Sequence, residues 1–188
     1  MFRNSVWTSV LALGLLAGCA TGTAERYSVP PTQASERVSI RYGSVEIRDV
    51  TLPSYAAAEE ITRQATGGVL TSDTAVLWAD APERAIALEL TRHLATLTGA
   101  RVASDPWPFE AFPDATLEVR FEQLLAGSDG VFRATGQFFV AVDEGRERSG
   151  LFDLSVPLGA EPSPAAIATA RGQIILDVAQ FIAKNGLR

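Results

Sequence analysis

The sequence predicts an α+β fold, an antiparallel β-sheet with two α-helices packed on one face. Three observations predict it. Between Leu117 and Val156 three successive runs alternate apolar and polar side chains, the period of half-buried strands. The polar half of each alternation implies an antiparallel sheet with that face solvated or shared with a partner. Two other segments, around Ile86 to Leu97 and Ile167 to Phe181, repeat apolar residues every three or four positions, the stripe of a helix lying on a sheet.

Taken in order, the chain opens on Arg3, an apolar run from Val6 to Leu16, and then small residues, the layout of a secretory signal. The run of eleven is too short for a membrane-spanning helix, which needs roughly 20 apolar residues. Leu16-Ala17-Gly18 immediately precedes Cys19, the single cysteine of the chain, and this pattern resembles the bacterial lipobox. In such signals the thiol is joined to diacylglycerol, the chain is cut before the cysteine, and the new amino group is acylated. The resemblance implies a signal peptide over residues 1–18 and lipidation at Cys19; the alternative is an incidental or buried cysteine. Residues 19–34 then form the lipidated N-terminus and a tether, and 35–188 a single α+β domain. The fifteen residues from Ala20 to Ala34 include Pro30-Pro31 and would reach about 50 Å fully extended. An edge strand at 26–29, ended by the prolines, would shorten that reach.

Val38, Ile40 and Tyr42 alternate with polar residues, and the alternation resumes after Gly43 at Val45 and Ile47, predicting one strand with a glycine bulge or turn. Glu59 to Ala65 reads as a strand entering a Gly67-Gly68 turn, with short strands at Val69-Leu70 and Ala75 to Trp78. A helix starts at Asp80, whose carboxylate and Glu83 form a capping box around Pro82, and Gly99 closes it. Residues 105–114 hold three prolines and three aromatics and exclude regular structure. Three strands follow: Leu117, Val119 and Phe121; then, after the turn Gly127-Ser128-Asp129-Gly130, Phe132 to Val142; then Phe152, Leu154 and Val156. Ser163 caps the last helix, Pro164 sits in its first turn, and Asn185-Gly186 ends it.

Composition narrows the function. Without residues 1–18 the chain carries 15 basic and 22 acidic residues, a net charge of −7. That argues against a nucleic-acid partner and against holding an anionic membrane by charge, so an acyl anchor must do the holding. No other apolar run approaches transmembrane length. The lone His93 has no second His or Cys at ligand spacing, and reads as a boundary residue of its helix. No nucleophile elbow, dinucleotide loop or phosphate loop occurs; no catalytic, metal or cofactor site is expected, and the protein reads as a non-enzyme. The candidate partner-binding residues are Trp107, Phe109 and Phe112, as low-entropy anchors in a proline-stiffened loop. The plainer reading is that they fold back as a plug on the end of the sheet. Phe139 lies on the nominally polar face and could mark a further protein contact.

The lipobox, Tyr27-Ser28-Val29, Leu52-Pro53-Ser54-Tyr55, the Leu77-Trp78-Ala79-Asp80 run, Phe138-Phe139-Val140, Gly150-Leu151-Phe152-Asp153-Leu154 and the Ala-rich last helix together resemble the ABC-type transport auxiliary lipoproteins, the PqiC-like family. The resemblance spans essentially the whole mature chain. It implies a non-enzymatic part of a Gram-negative lipid-trafficking system that supports envelope integrity. The implied partners are an MCE-domain protein forming a tunnel across the periplasm and the inner-membrane permease or ABC transporter at its base. The lipoprotein would sit at the periplasmic face of the outer membrane, lipid-anchored, as a homo-oligomer matching a symmetric tunnel end. Ala20 after the cysteine agrees with outer-membrane delivery, since aspartate there is the usual retention signal. The alternative is a periplasmic lipoprotein whose domain itself holds a lipid or other small ligand, which requires an apolar cavity between sheet and helices.

Overall fold

The computed structural model describes residues 23–34, 36–143, 145–159 and 162–188. Cys19 and the whole of 1–18 lie outside the described residues.

The sheet is built around two long strands, β7 (Ala115–Ala126) and β8 (Val131–Ala141), which pair antiparallel across the expected Gly127 to Gly130 turn. Strand β9 (Arg148–Pro157) extends the sheet antiparallel beyond β8. On the other side of β7 lie β2 (Ser44–Thr51) and then β6 (Arg101–Ser104). Past the end of β2 the small hairpin of β3 (Arg63–Gln64) and β4 (Leu70–Thr71) pairs with β7 at Ala126. β2 runs parallel to both β6 and β7, so the sheet is mixed rather than purely antiparallel. The cause is connectivity: β2 and β6 are joined through helix α2 (Pro82–Thr98), and a helical crossover returns the chain to run in the same direction. Alternation reports which side chains are buried, not which way a strand runs.

Both long helices pack on one face, as expected: α2 over β2 and β6, and α3 (Pro164–Asn185) over β8 and β9, with the helices touching each other. Ile86, Leu90, Leu94 and Leu97 of α2 and Ile174, Ile175, Val178 and Ile182 of α3 are fully buried. By length and composition α3 could cross a membrane, contrary to the sequence expectation that no such run follows the signal; most of it is buried against the sheet, as a core helix. Ser163 caps it, its Oγ accepting from Ala166 N at 3.2 Å. The predicted capping box on α2 does not form. Ala81 is the cap position, and Asp80 instead accepts from Ala81 N and pairs with Arg84. Gly99 ends α2 at φ 73°, a left-handed position suited to glycine.

Residues 38–42 are not a strand. Val38 N donates to Leu97 O at 2.8 Å and Arg41 N to Leu187 O at 3.0 Å, so this strap satisfies carbonyls at the ends of the two helices. β6 carries no pattern that announced it. The expected strand over 59–65 shrinks to β3 and a bridge between Glu60 and Leu77. A four-residue helix, α1 (Ser54–Ala57), follows Pro53.

Candidate functional site

The N-terminal segment does not hang free. The edge strand expected at 26–29 is β1 (Glu25–Tyr27), and it pairs in parallel with β5 (Val76–Trp78) in a small sheet of its own. Glu25 N donates to Ala75 O at 2.7 Å, and Ala79 N to Tyr27 O at 3.0 Å. Just beyond, the chain presses on α3 at Gly172, where a Cβ would lie 2.8 Å from Val29 Cγ1 and 3.0 Å from Thr32 Oγ1. With the chain held from Glu25 onward, the tether expected over 20–34 is shortened, and an extended chain from Cys19 to Glu25 would reach about 20 Å rather than 50. Gly172→Val should detach this segment while leaving the sheet folded, visible as faster proteolysis near Val29 with unchanged far-UV circular dichroism.

The loop from Asp105 to Asp114 is irregular but internally braced. Trp107 Nε1 donates to Ala111 O at 2.7 Å, and its ring meets Phe109 edge-on at 4.9 Å. Arg101 lies over the Phe109 ring at 4.9 Å. At the base, Asp114 Oδ2 accepts from Gly43 N and Ser44 N, while Ser44 Oγ accepts from Asp114 N. These contacts hold the aromatics outside the core: Trp107 is half-buried, Phe109 is 42% exposed and Phe112 is 86% exposed. Such rings are pre-organised, so a partner would meet them at small entropic cost. Phe112→Ala should change stability by less than about 0.5 kcal/mol, measured by denaturant titration; a larger loss would mean the ring plugs the sheet after all.

Phe139 sits on the sheet face opposite the helices. It is half-buried, with Arg120 over its ring at 4.8 Å and Arg120 in turn paired with Glu118 at 2.8 Å. A shallow groove of about 480 Å³ runs past it, lined by Thr116, Glu118, Arg120, Arg148 and Ser149. Thr116 is the second residue of β7, just after the aromatic loop, so groove and loop share one end of the sheet. By contrast, the cavity reaching between sheet and helices at Trp78, Ile86 and Phe132 has only about 20 Å³, room for one water.

A family model for the ABC-type transport auxiliary lipoprotein component matches residues 27–183. The chain belongs to this family. Among solved structures, an uncharacterized protein superposes with a TM-score of 0.69 at 19% identity, covering 86% of this chain and 97% of that one. A Xanthomonas campestris protein of the DUF330 family superposes with a TM-score of 0.58 at 17% identity, covering 86% and 90%. At these identities the likeness shows the fold alone. No curated protein matches the sequence. Membership makes the chain a lipoprotein component of a transport system.

The auxiliary lipoprotein also holds a buried polar centre that sequence reasoning missed. Arg171 of α3 donates from Nη2 to Glu89 Oε1 of α2 at 3.0 Å and stacks over Trp78 at 4.6 Å. Arg171 and Glu89 are 2% and 7% exposed. Burial pushes the Glu89 carboxyl up and the Arg171 guanidinium down, each opposed by attraction to the other. The signal was available: Arg171 falls between Ile167 and Ile174 on the stripe of α3, and Glu89 between Ile86 and His93 on that of α2. His93 is not at the boundary but 2% exposed. Burial, with the Arg92 charge adding to it, holds its imidazole down at about 4. The native state thus keeps a neutral ring while the unfolded chain protonates near pH 6.5. Stability is complete above that pH and falls as pH drops toward 4, by up to about 3 kcal/mol. The unfolding free energy of wild type minus that of His93→Leu should therefore fall by that amount from pH 7 to pH 4. Among the described residues no group of three or more His, Cys, Asp or Glu side chains could hold a metal.

Proposed function

We propose that this protein is an outer-membrane lipoprotein that docks the periplasmic tunnel of an MCE-type lipid transport system. Diacylglycerol and an N-acyl chain on Cys19 hold it at the periplasmic face, and it contributes structure rather than catalysis. The observation that carries this reading is the family match over residues 27–183, directly downstream of a lipobox-like Leu16-Ala17-Gly18-Cys19. The partner contact falls to the Trp107, Phe109, Phe112 and Phe139 end, where braced aromatics face outward. A symmetric tunnel end calls for a closed ring of copies, so the working form is a homo-oligomer. The permease or ABC transporter lies at the tunnel's opposite end, in the inner membrane.

The second reading, a domain that itself encloses a lipid, finds room for only one water in the cavity at Trp78, Ile86 and Phe132, and the open pocket of about 220 Å³ that Trp78 also borders is lined by the charged Asp80, Glu89, Arg92 and Arg171. Two acyl chains, at about 0.8 kcal/mol per buried methylene, hold a protein stably on a bilayer. Replacing residues 1–19 by a cleavable secretory signal that has no lipobox should therefore move the protein from the outer-membrane fraction to the soluble periplasm while leaving it folded and able to capture its MCE-domain partner. Such a protein that stays membrane-bound would overturn the anchor, and wild-type protein that captures no MCE-domain protein would overturn the docking role.

A further inference from the structure

Residues 66–75 are ten consecutive exposed positions that carry one charge, Asp73, in a chain that is 20% charged. They comprise the β3–β4 turn, β4 and the link to β5. At the turn Val69 is 60% exposed and Leu70 41% exposed, side by side. The backbone there is fixed, Ala65 N donating to Val69 O at 2.7 Å and Gly68 N to Ala65 O at 3.1 Å. Around the two apolar side chains stand Thr66, Thr71, Ser72 and Thr74, and Asp73 is turned onto Ala75 N at 2.8 Å. The surface thus carries one carboxylate, is otherwise hydroxyl-bearing, and is apolar at its tip.

Its position gives it a partner. Glu25, where the tether joins the folded body, donates its N–H to Ala75 O. Ala75 is five residues from Leu70, at most about 17 Å, and Cys19 is at most about 20 Å of chain from Glu25. A lipid layer holding Cys19 is therefore within reach of Val69 and Leu70. The exposed aromatics lie elsewhere: Ala126, beside β3, is eleven residues from Ala115 at the aromatic loop, about 36 Å along the strand. A protein of net negative charge meets an anionic surface best through a patch poor in carboxylates, which would otherwise face repulsion and desolvation; the single one here, Asp73, is turned onto Ala75 N.

We propose that Val69 and Leu70, with the hydroxyl-bearing rim around them, form a second membrane contact seated in the same lipid layer as the Cys19 acyl chains. This rests on the anchor reading and adds an orientation to it: the hairpin end of β7 faces lipid, and the Trp107 end faces away. The natural chain has one cysteine, consumed by acylation, so an introduced cysteine is the single free thiol. Acylated protein with Leu70→Cys or Phe112→Cys, labelled with an environment-sensitive fluorophore, is reconstituted into phosphatidylethanolamine–phosphatidylglycerol vesicles containing a lipid-borne quencher. The Leu70 probe should be quenched about threefold more strongly than the Phe112 probe, because an interfacial group sits within the headgroup boundary. Equal quenching, or stronger quenching at Phe112, would overturn the proposal, as would a partner protein rather than lipid shielding the Leu70 probe. Failure of the labelled protein to float with vesicles would instead bring down the anchor and this contact together.

Discussion

Glu89→Ala is expected to destabilise the protein by about 3–5 kcal/mol, the range for removing one partner of a buried ion pair. The loss is not that of one hydrogen bond. It leaves the Arg171 guanidinium inside, 2% exposed against Trp78, without the carboxylate that now faces it at 3.0 Å. Among the described residues Glu89 Oε2 and Arg171 Nε have no hydrogen-bond partner, so the pair is incompletely satisfied even when intact. Replacing both members by apolar residues, Glu89→Leu with Arg171→Met, should therefore recover most of the loss. Denaturant titration of the two single variants and the double variant measures this. A Glu89→Ala midpoint within about 1 kcal/mol of wild type would show that the centre contributes little.

Gly136→Ala should be as damaging or worse. A Cβ there would lie 2.2 Å from the Arg120 carbonyl oxygen, 2.7 Å from Phe152 Cζ and 2.9 Å from Phe121 Cα. The absent side chain lets Phe121 and Phe152 meet edge-on across it, centroids 5.4 Å apart. Two of the three obstructing atoms are backbone, so β7 itself must shift. The cost should exceed the upper part of the usual overpacking range, about 3 kcal/mol. Gly150→Ala makes the contrast. Its Cβ would meet only the Phe138 ring, at 2.7 Å, and a ring can rotate where a carbonyl cannot. Gly136→Ala should unfold at clearly lower denaturant than Gly150→Ala; equal midpoints would mean the strand yields as easily as the ring.

The parts of the fold that could be read in the sequence are those where one residue reports its own burial. Phe132, Ala134, Phe138 and Val140 alternate along β8 because one face is covered, and each is at most 3% exposed. Ser163 before Pro164 names its cap without reference to anything distant. What escaped depends on relationships. Val38 to Tyr42 alternates like a strand, yet its N–H groups at 38 and 41 turn to the ends of two helices far away in sequence. Arg101 to Ser104 has no pattern, and becomes a strand only because β2 offers it an edge. Asp80 would cap α2, but Arg84 competes for its carboxylate. For the candidate site, the sequence identified the irregular aromatic loop but not which way the rings face, since that is decided by Asp114 holding the Ser44 end of β2. The Glu89–Arg171 pairing joins residues 82 apart in the chain, and only the oddity of each on its own apolar stripe hinted at it.

The way β1 lies along β5 has a mechanical side. The two strands run parallel, with three residue pairs in register from Glu25–Val76 to Tyr27–Trp78. A pull from an anchor at Cys19 enters at the start of β1, while β5 continues from its far end into the core helix α2. The load therefore acts along the strands, shearing all three pairs at once instead of peeling them one by one. Behind them, Val29 and Thr32 wedged at Gly172 act as a stop against slippage. Tension arriving from the N-terminal side is thus met first by β1 and its three pairs with β5.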